Sequence, residues 1–190
     1  MHKKIALFIV LLFFIILYSC IPNKNYYYEN GITKPKKSNF DLAKSPYPYH
    51  LKEKDWIDTN SIYVTQYYLK SKDSTQKIVE QSYLRFFKNG RVSSRFKTIK
   101  NGELNSINYN DFDYGPIGYY KIDETNKITY EFFLVYEIGK YVKKYGYIKK
   151  DRIFLFKHAY KKYDFPKPNA DNCQIYTRKK VTNLTHIPDW

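Results

Sequence analysis

From about residue 57 onward, short runs of β-branched and aromatic residues alternate with clusters of polar turn-formers. Residues 62–69, Ile62-Tyr63-Val64-Thr65-Gln66-Tyr67-Tyr68-Leu69, read as the first strand and 79–87 as the second. Asn89-Gly90 is the dipeptide best suited to a tight turn at positive φ, so 91–96 returns as the third. Residues 118–123 and 128–136 form a hairpin across Glu124-Thr125-Asn126. A further hairpin joins 141–148 and 152–158 across Lys149-Lys150-Asp151, and 174–181 supplies a last strand. Stretches 40–44 and 72–81 have room for a turn or two of helix, and no long amphipathic helix is predicted. About eight strands with turn signals every ~8–12 residues predict an all-β domain, a small antiparallel up-and-down barrel or a sandwich.

Alternation along these strands separates two faces. Leu84 and Phe86 oppose Arg85, and Ile128, Tyr130, Phe132, Leu134 and Tyr136 share one side of their strand, as do Ile153 and Leu155. The other sides carry Phe133, Val135, Phe154 and Phe156. A strand that is apolar on both faces must be covered on both, here by a second layer or by the segment that precedes the domain.

The N-terminus has a different pattern. His2, Lys3 and Lys4 precede thirteen apolar residues, Ile5 to Leu17, and Leu17-Tyr18-Ser19-Cys20 follows. As a helix the run would reach roughly 20 Å, short of a bilayer core of about 30 Å. A positive start, a short apolar run and a small residue before the break make a cleaved export signal the expectation, with an uncleaved anchor helix as the alternative. Leu17-Tyr18-Ser19-Cys20 resembles the bacterial lipobox, and the resemblance implies lipidation at Cys20. A thiolate is the strong nucleophile that such alkylation needs, and each buried acyl methylene adds about 0.8 kcal/mol of membrane affinity. The organisation expected is a signal over 1–19, a lipid-anchored tether over 20–54 and the antiparallel β domain over 55–190. The tether, rich in Asn, Lys, Pro and Tyr, loses apolar periodicity. Tyr26-Tyr27-Tyr28 suits a membrane interface or the domain surface equally, and Tyr47 to Trp56 is apolar enough to dock. Ile21 in place of Asp, and the lack of an acidic cluster over 21–28, point to the periplasmic face of an outer membrane.

Without the signal, 171 residues remain, enough for one domain burying roughly 70% of its unfolded surface. They carry 31 basic against 18 acidic side chains. Such charge suits an envelope protein partner or an anionic glycolipid as well as the membrane itself. The joint abundance of Lys, Asn, Ile, Tyr and Phe also fits codons rich in A and T, so base composition is a sufficient cause. Basic residues such as Lys70, Lys72, Lys77, Arg85, Lys88, Arg91, Lys97, Lys100, Lys121, Lys127, Lys140 and Lys149 fall largely at turns and strand ends. That distribution predicts a solvated rim rather than a nucleic-acid face, so no nucleic-acid partner is expected.

One longer resemblance exists. Leu84-Arg85-Phe86-Phe87-Lys88-Asn89-Gly90-Arg91-Val92, then Gly118-Tyr119-Tyr120-Lys121-Ile122 and Asn126-Lys127-Ile128-Thr129-Tyr130, resemble lipocalin-like lipoproteins of Bacteroidota. The similarity spans roughly residues 60–160 and its motifs are structural. It implies a small calycin-like barrel behind a lipid anchor, and it names no ligand.

Catalytic signatures are sparse, and no enzyme activity or cofactor is expected. His50, His158 and His186 are far apart and fit no metal-ligand spacing, and there is no Gly-x-Ser-x-Gly elbow or phosphate loop. His158 reads as a core or rim residue. Asp111 and Asp113 are placed for acid–base or cation chemistry, though turn chemistry explains them more simply. Cys173 is expected buried as a small apolar side chain. Asn183-Leu184-Thr185 fits a glycosylation sequon, and Asp73-Ser74-Thr75 resembles an O-glycosylation motif. With an enzyme, the third class, disfavoured for want of catalytic signatures, two main readings of function remain. One is a structural or partner-binding lipoprotein; the other is a lipocalin-like module for a small apolar or aromatic ligand whose contact residues the sequence does not identify.

Overall fold

The computed structural model describes residues 26–29, 32–44, 48–69, 78–100, 109–110, 115–135, 139–158 and 164–185. Strands β1 (Tyr26–Glu29) and β2 (Ile32–Pro35) pair with each other, and one 3-10 turn covers Asp41–Ala43. Eight strands follow: β3 (Ser61–Leu69), β4 (Ile78–Phe86), β5 (Arg91–Lys100), β6 (Ile117–Ile122), β7 (Lys127–Leu134), β8 (Lys140–Lys149), β9 (Arg152–Phe156) and β10 (Cys173–Lys180). Each pairs antiparallel with the next, and β10 returns to β3, closing an up-and-down barrel. The sequence left barrel and sandwich open, and this closure decides for the barrel. Helical turns were allowed over 72–81, but 78–81 belong to β4, where β-branched Ile78 and Val79 pair with β5.

The turn chemistry accounts for the register. After β4, Gly90 adopts φ +77° and donates its N–H to the Phe87 carbonyl. A Cβ at Gly90 would lie 2.3 Å from the Tyr49 carbonyl oxygen, so glycine serves both the turn and the close approach of segment 48–60. Between β6 and β7 the Asp123 carboxylate accepts the N–H groups of Thr125 and Lys127 and the Thr125 hydroxyl, while Asn126 takes φ +59°. Asn and Asp tolerate these conformations because their side chains bond the local backbone.

Inward positions follow the alternation of the strands. Tyr63, Leu84, Phe86, Val92, Tyr120, Ile122, Ile128, Tyr130, Phe132, Ile148, Ile153, Leu155 and Tyr176 form one core with Ile57. Phe86 meets both Tyr63 and Tyr120 edge-on, and the Tyr120 hydroxyl donates to the Phe87 carbonyl at 2.9 Å. The segment before β3 closes this end of the barrel. Leu51 donates its N–H to the Lys88 carbonyl, Tyr49 packs on Tyr120, and Ile57 is buried. Docking was expected for Tyr47 to Trp56. Tyr49 and Leu51 dock as expected, whereas the Trp56 side chain is 43% exposed.

Both strand faces are indeed covered over part of the wall. Tyr26 reaches Phe133, and Phe40 sits between Tyr119 and Tyr141 at ring distances of 5.0 and 4.8 Å. Beneath this strap the buried Glu131 carboxylate accepts the Leu42 N–H at 2.8 Å. The outward residues Tyr147 of β8 and Phe154 and Phe156 of β9 form a second aromatic cluster with Phe165 from the segment before β10. Segment 26–44, tether-like in composition, therefore lies against the barrel as a strand pair and a strap. Of the three tyrosines weighed between membrane and domain, Tyr26 packs on the domain.

Candidate functional site

At the closed end, hairpins and the 48–60 segment seal a core filled by large rings. The barrel differs at its opposite end. Pairing between β3 and β10 runs only from Ser61↔Lys180 to Val64↔Thr177, although β3 continues to Leu69 and β10 begins at Cys173. Beyond Val64 the two strands stay bonded to β4 and β9 respectively, not to each other. An open groove of about 650 Å³ lies at this parting seam, against Val64, Thr65, Gln81, Gln174, Ile175 and Thr177, with Arg178 and Lys179 also on its wall. That volume falls within the roughly 300–1,000 Å³ of small-ligand sites. Its walls mix outward side chains such as Val64 and Ile175 with inward ones such as Thr65 and Gln174.

From Gln174 a polar cluster extends into the barrel. Gln174 pairs across β9 with Leu155, which pairs with Gly146 of β8, so all three share the inner face. One inward step along β8 is Lys144, opposite Tyr130 of β7. The Lys144 ammonium donates to Gln174 Oε1 at 3.1 Å and stands 5.6 Å from the Phe132 ring centroid. Among the described residues no carboxylate pairs with it. Tyr130, 3% exposed, stacks on Phe132, and its hydroxyl faces Ser94 without an aligned hydrogen bond. Ser82 and Tyr176 add two more hydroxyls 3.5 Å apart. Burial lowers the Lys144 pKa from its ordinary value. Burial likewise pushes the Tyr130 hydroxyl far up, so it serves as a neutral donor. The arrangement offers hydrogen-bond donors and one positive charge inside apolar walls.

Several residues singled out in the sequence are not brought together. His50 lies at the closed end and His158 just past β9 at the other, and both are exposed. Among the described residues no three metal-ligating side chains cluster. Cys173 is free and buried, as expected, beside Phe156 in register, and burial pushes its thiol up to about 11. Arg85 departs from the predicted solvated rim. It is 4% exposed on the outer wall, donates to the Tyr109 carbonyl and to Asn110 Oδ1, and lies over Phe87. A guanidinium can be buried there because Nη1 makes two hydrogen bonds and its plane lies over the Phe87 ring, although Nε finds no hydrogen-bond acceptor among the described residues. Cys20, Asp73-Ser74-Thr75, Asp111, Asp113, Tyr136 and His186 lie outside the described residues.

Lys144, Gln174 and Tyr130 were not singled out as binding residues from the sequence. The signal was the period-2 phase of β8, which puts Lys144 on the face of Val142 and Ile148. It was masked because the opposite phase, Tyr141, Tyr145 and Tyr147, is the more aromatic. Among the described residues no helix is long and apolar enough to cross a membrane. Comparison of the chain with family models, with curated proteins and with solved structures finds no match.

Proposed function

We propose that this chain is an exported lipoprotein, held by acyl chains on Cys20 at the periplasmic face of an outer membrane, whose barrel binds a small apolar ligand. The observation that carries the ligand reading is the parting of β3 from β10, with an open groove of about 650 Å³ whose wall includes the inward side chains of Thr65 and Gln174. The resemblance to lipocalin-like lipoproteins supports the same assignment, since an eight-stranded up-and-down barrel is a common ligand container. The lipid anchor rests on the residues from His2 to Cys20.

The full chain in lipid nanodiscs, exposed to a long-chain alcohol carrying a photoactivatable diazirine, tests the ligand reading. Labelling should concentrate on the peptides bearing Val64 and Gln174 to Thr177, saturate, and be competed by unlabelled alcohol. Diffuse, unsaturable labelling would refute it. For the anchor, mass spectrometry of the mature N-terminus and acyl labelling of Cys20→Ala decide. Unchanged label in the variant rules out Cys20.

A second reading, a structural or partner-binding lipoprotein, draws on the filled closed end and on the exposed apolar side chains of Trp56 and Ile175. An envelope protein recovered by crosslinking through those two residues, with no saturable alcohol labelling, would favour it.

A further inference from the structure

We infer that the ligand of this barrel is a monocarboxylate amphiphile, its carboxylate held inside the wall by the Lys144 ammonium and the Tyr130 hydroxyl. The inference rests on the ligand reading above and adds the chemistry of the ligand's polar end.

Three observations carry it. Lys144 occupies an inward position on β8, next to Tyr130 on β7, and its recorded partners are a neutral amide and an aromatic face. A partly buried ammonium held only by neutral groups leaves a positive charge that an anion would neutralise. Second, the Tyr130 hydroxyl, deeply buried on the same face, has no hydrogen-bond partner among the described residues. Buried hydroxyls are normally satisfied, and a donor that is not aligned with the Ser94 it faces, on the register partner of a lysine, is a place for an acceptor. Third, Gln174 both lines the seam groove and accepts from Lys144, so the charged group lies one side chain behind the groove wall.

The chemistry selects among anions. One ammonium with neutral hydroxyls and an amide balances a single negative charge. A carboxylate offers two acceptor oxygens, one for the ammonium and one for the hydroxyl, and Arg178 and Lys179, which also line the seam, add to the attraction for an anion. The amphiphile's apolar part belongs with the side chains that line the seam, Val64 and Ile175 among them. Burial works in the same direction, since it lowers the pKa of Lys144 and an arriving carboxylate would restore the charged form.

The test compares two probes of equal length, a diazirine-bearing long-chain carboxylic acid and the corresponding alcohol, on the full chain in nanodiscs. Half-saturation of seam labelling should come at about tenfold lower concentration for the acid, as one charge-assisted hydrogen bond would give. In Lys144→Met the acid should fall to the alcohol's value while the alcohol is unchanged, and Lys144→Arg should keep the acid's advantage. Equal half-saturation of acid and alcohol in the unaltered protein overturns this inference and leaves the ligand reading standing. Absence of saturable labelling by both overturns the two together. The acid-to-alcohol ratio needs no variant, so a Lys144→Met chain that fails to fold does not remove the test.

Discussion

Replacing Phe40 by alanine should release the strap from the barrel wall without unfolding the barrel. Phe40 is 3% exposed and wedged between Tyr119 and Tyr141, at 5.0 and 4.8 Å between ring centroids. Burial of a phenylalanine side chain contributes about 2–3 kcal/mol. Each aromatic contact adds about 0.5–1 kcal/mol, consistent with the ~3–5 kcal/mol lost when a core phenylalanine is truncated. The other ties are weaker. The Leu42 N–H reaches Glu131 at 2.8 Å, the Asn39 N–H reaches the Tyr141 hydroxyl at 3.0 Å, and Lys143 pairs with an exposed Asp41. A loss of about 3 kcal/mol shifts docking by roughly a hundredfold. Because the strap can open locally, the change should appear in hydrogen exchange at Asn39 and Leu42. Their exchange should speed up roughly a hundredfold, while barrel amides such as Tyr120, bonded to the Gly90 carbonyl, keep their rates. Exchange at 39 and 42 that rises less than about fivefold, or barrel amides that accelerate in step, would refute the account of Phe40 as the wedge of a separately opening strap.

Tyr120→Phe removes one of two donors to the Phe87 carbonyl, the Gly90 N–H remaining, so stability read from the urea midpoint should fall by about 0.5–1.5 kcal/mol. Gly90→Ala meets both a positive φ and the Tyr49 carbonyl, and should cost about 1–2 kcal/mol for the backbone strain alone, with exchange at the Leu51 amide rising first. Burial tends to raise the Asp123 carboxyl, but bonds from the Lys127 backbone and from Thr125 outweigh it and hold the group below its ordinary value. A depressed folded pKa gives stability that is full above the unfolded value near 3.9 and lost as pH falls through the folded one. Asp123→Ala should therefore reduce stability at pH 7 and flatten the acid limb below about pH 4, as followed by thermal unfolding.

Strand positions were legible because turn chemistry and period-2 alternation agree from β3 to β10. Each predicted strand matches an observed one, with ends that coincide or shift by at most four residues; β5, for example, runs on from 96 to Lys100. The β1–β2 pair was missed although Asn30-Gly31 sits between the two strands, the same dipeptide that marked Asn89-Gly90. Lysine and proline around it outweighed that signal, and four-residue strands show too little alternation to be seen. The site was harder to read for a different reason. Which phase of β8 faces inward depends on what covers the outside. The strap and the outer aromatic cluster supply enough apolar surface to make Tyr141 and Tyr147 outward residues. That contact spans about a hundred residues of sequence, as the Tyr141 hydroxyl on the Lys37 carbonyl shows.

The same geometry implies a stability cost that can be measured. An inward ammonium held by Gln174 beside the Phe132 ring lowers the stability of the folded chain, because desolvation opposes its charge and no carboxylate among the described residues pairs with it. Lys144→Met keeps an unbranched apolar stem in the same space and removes the charge. Stability of the ligand-free protein should rise by about 1 kcal/mol, read as a higher urea midpoint at unchanged slope. A gain in stability coupled to loss of the acid's binding advantage is what distinguishes a binding residue from a structural one, since a lysine that supported the fold would lower the midpoint when removed. A drop of more than about 1 kcal/mol in Lys144→Met would assign the residue to holding β8 against β10.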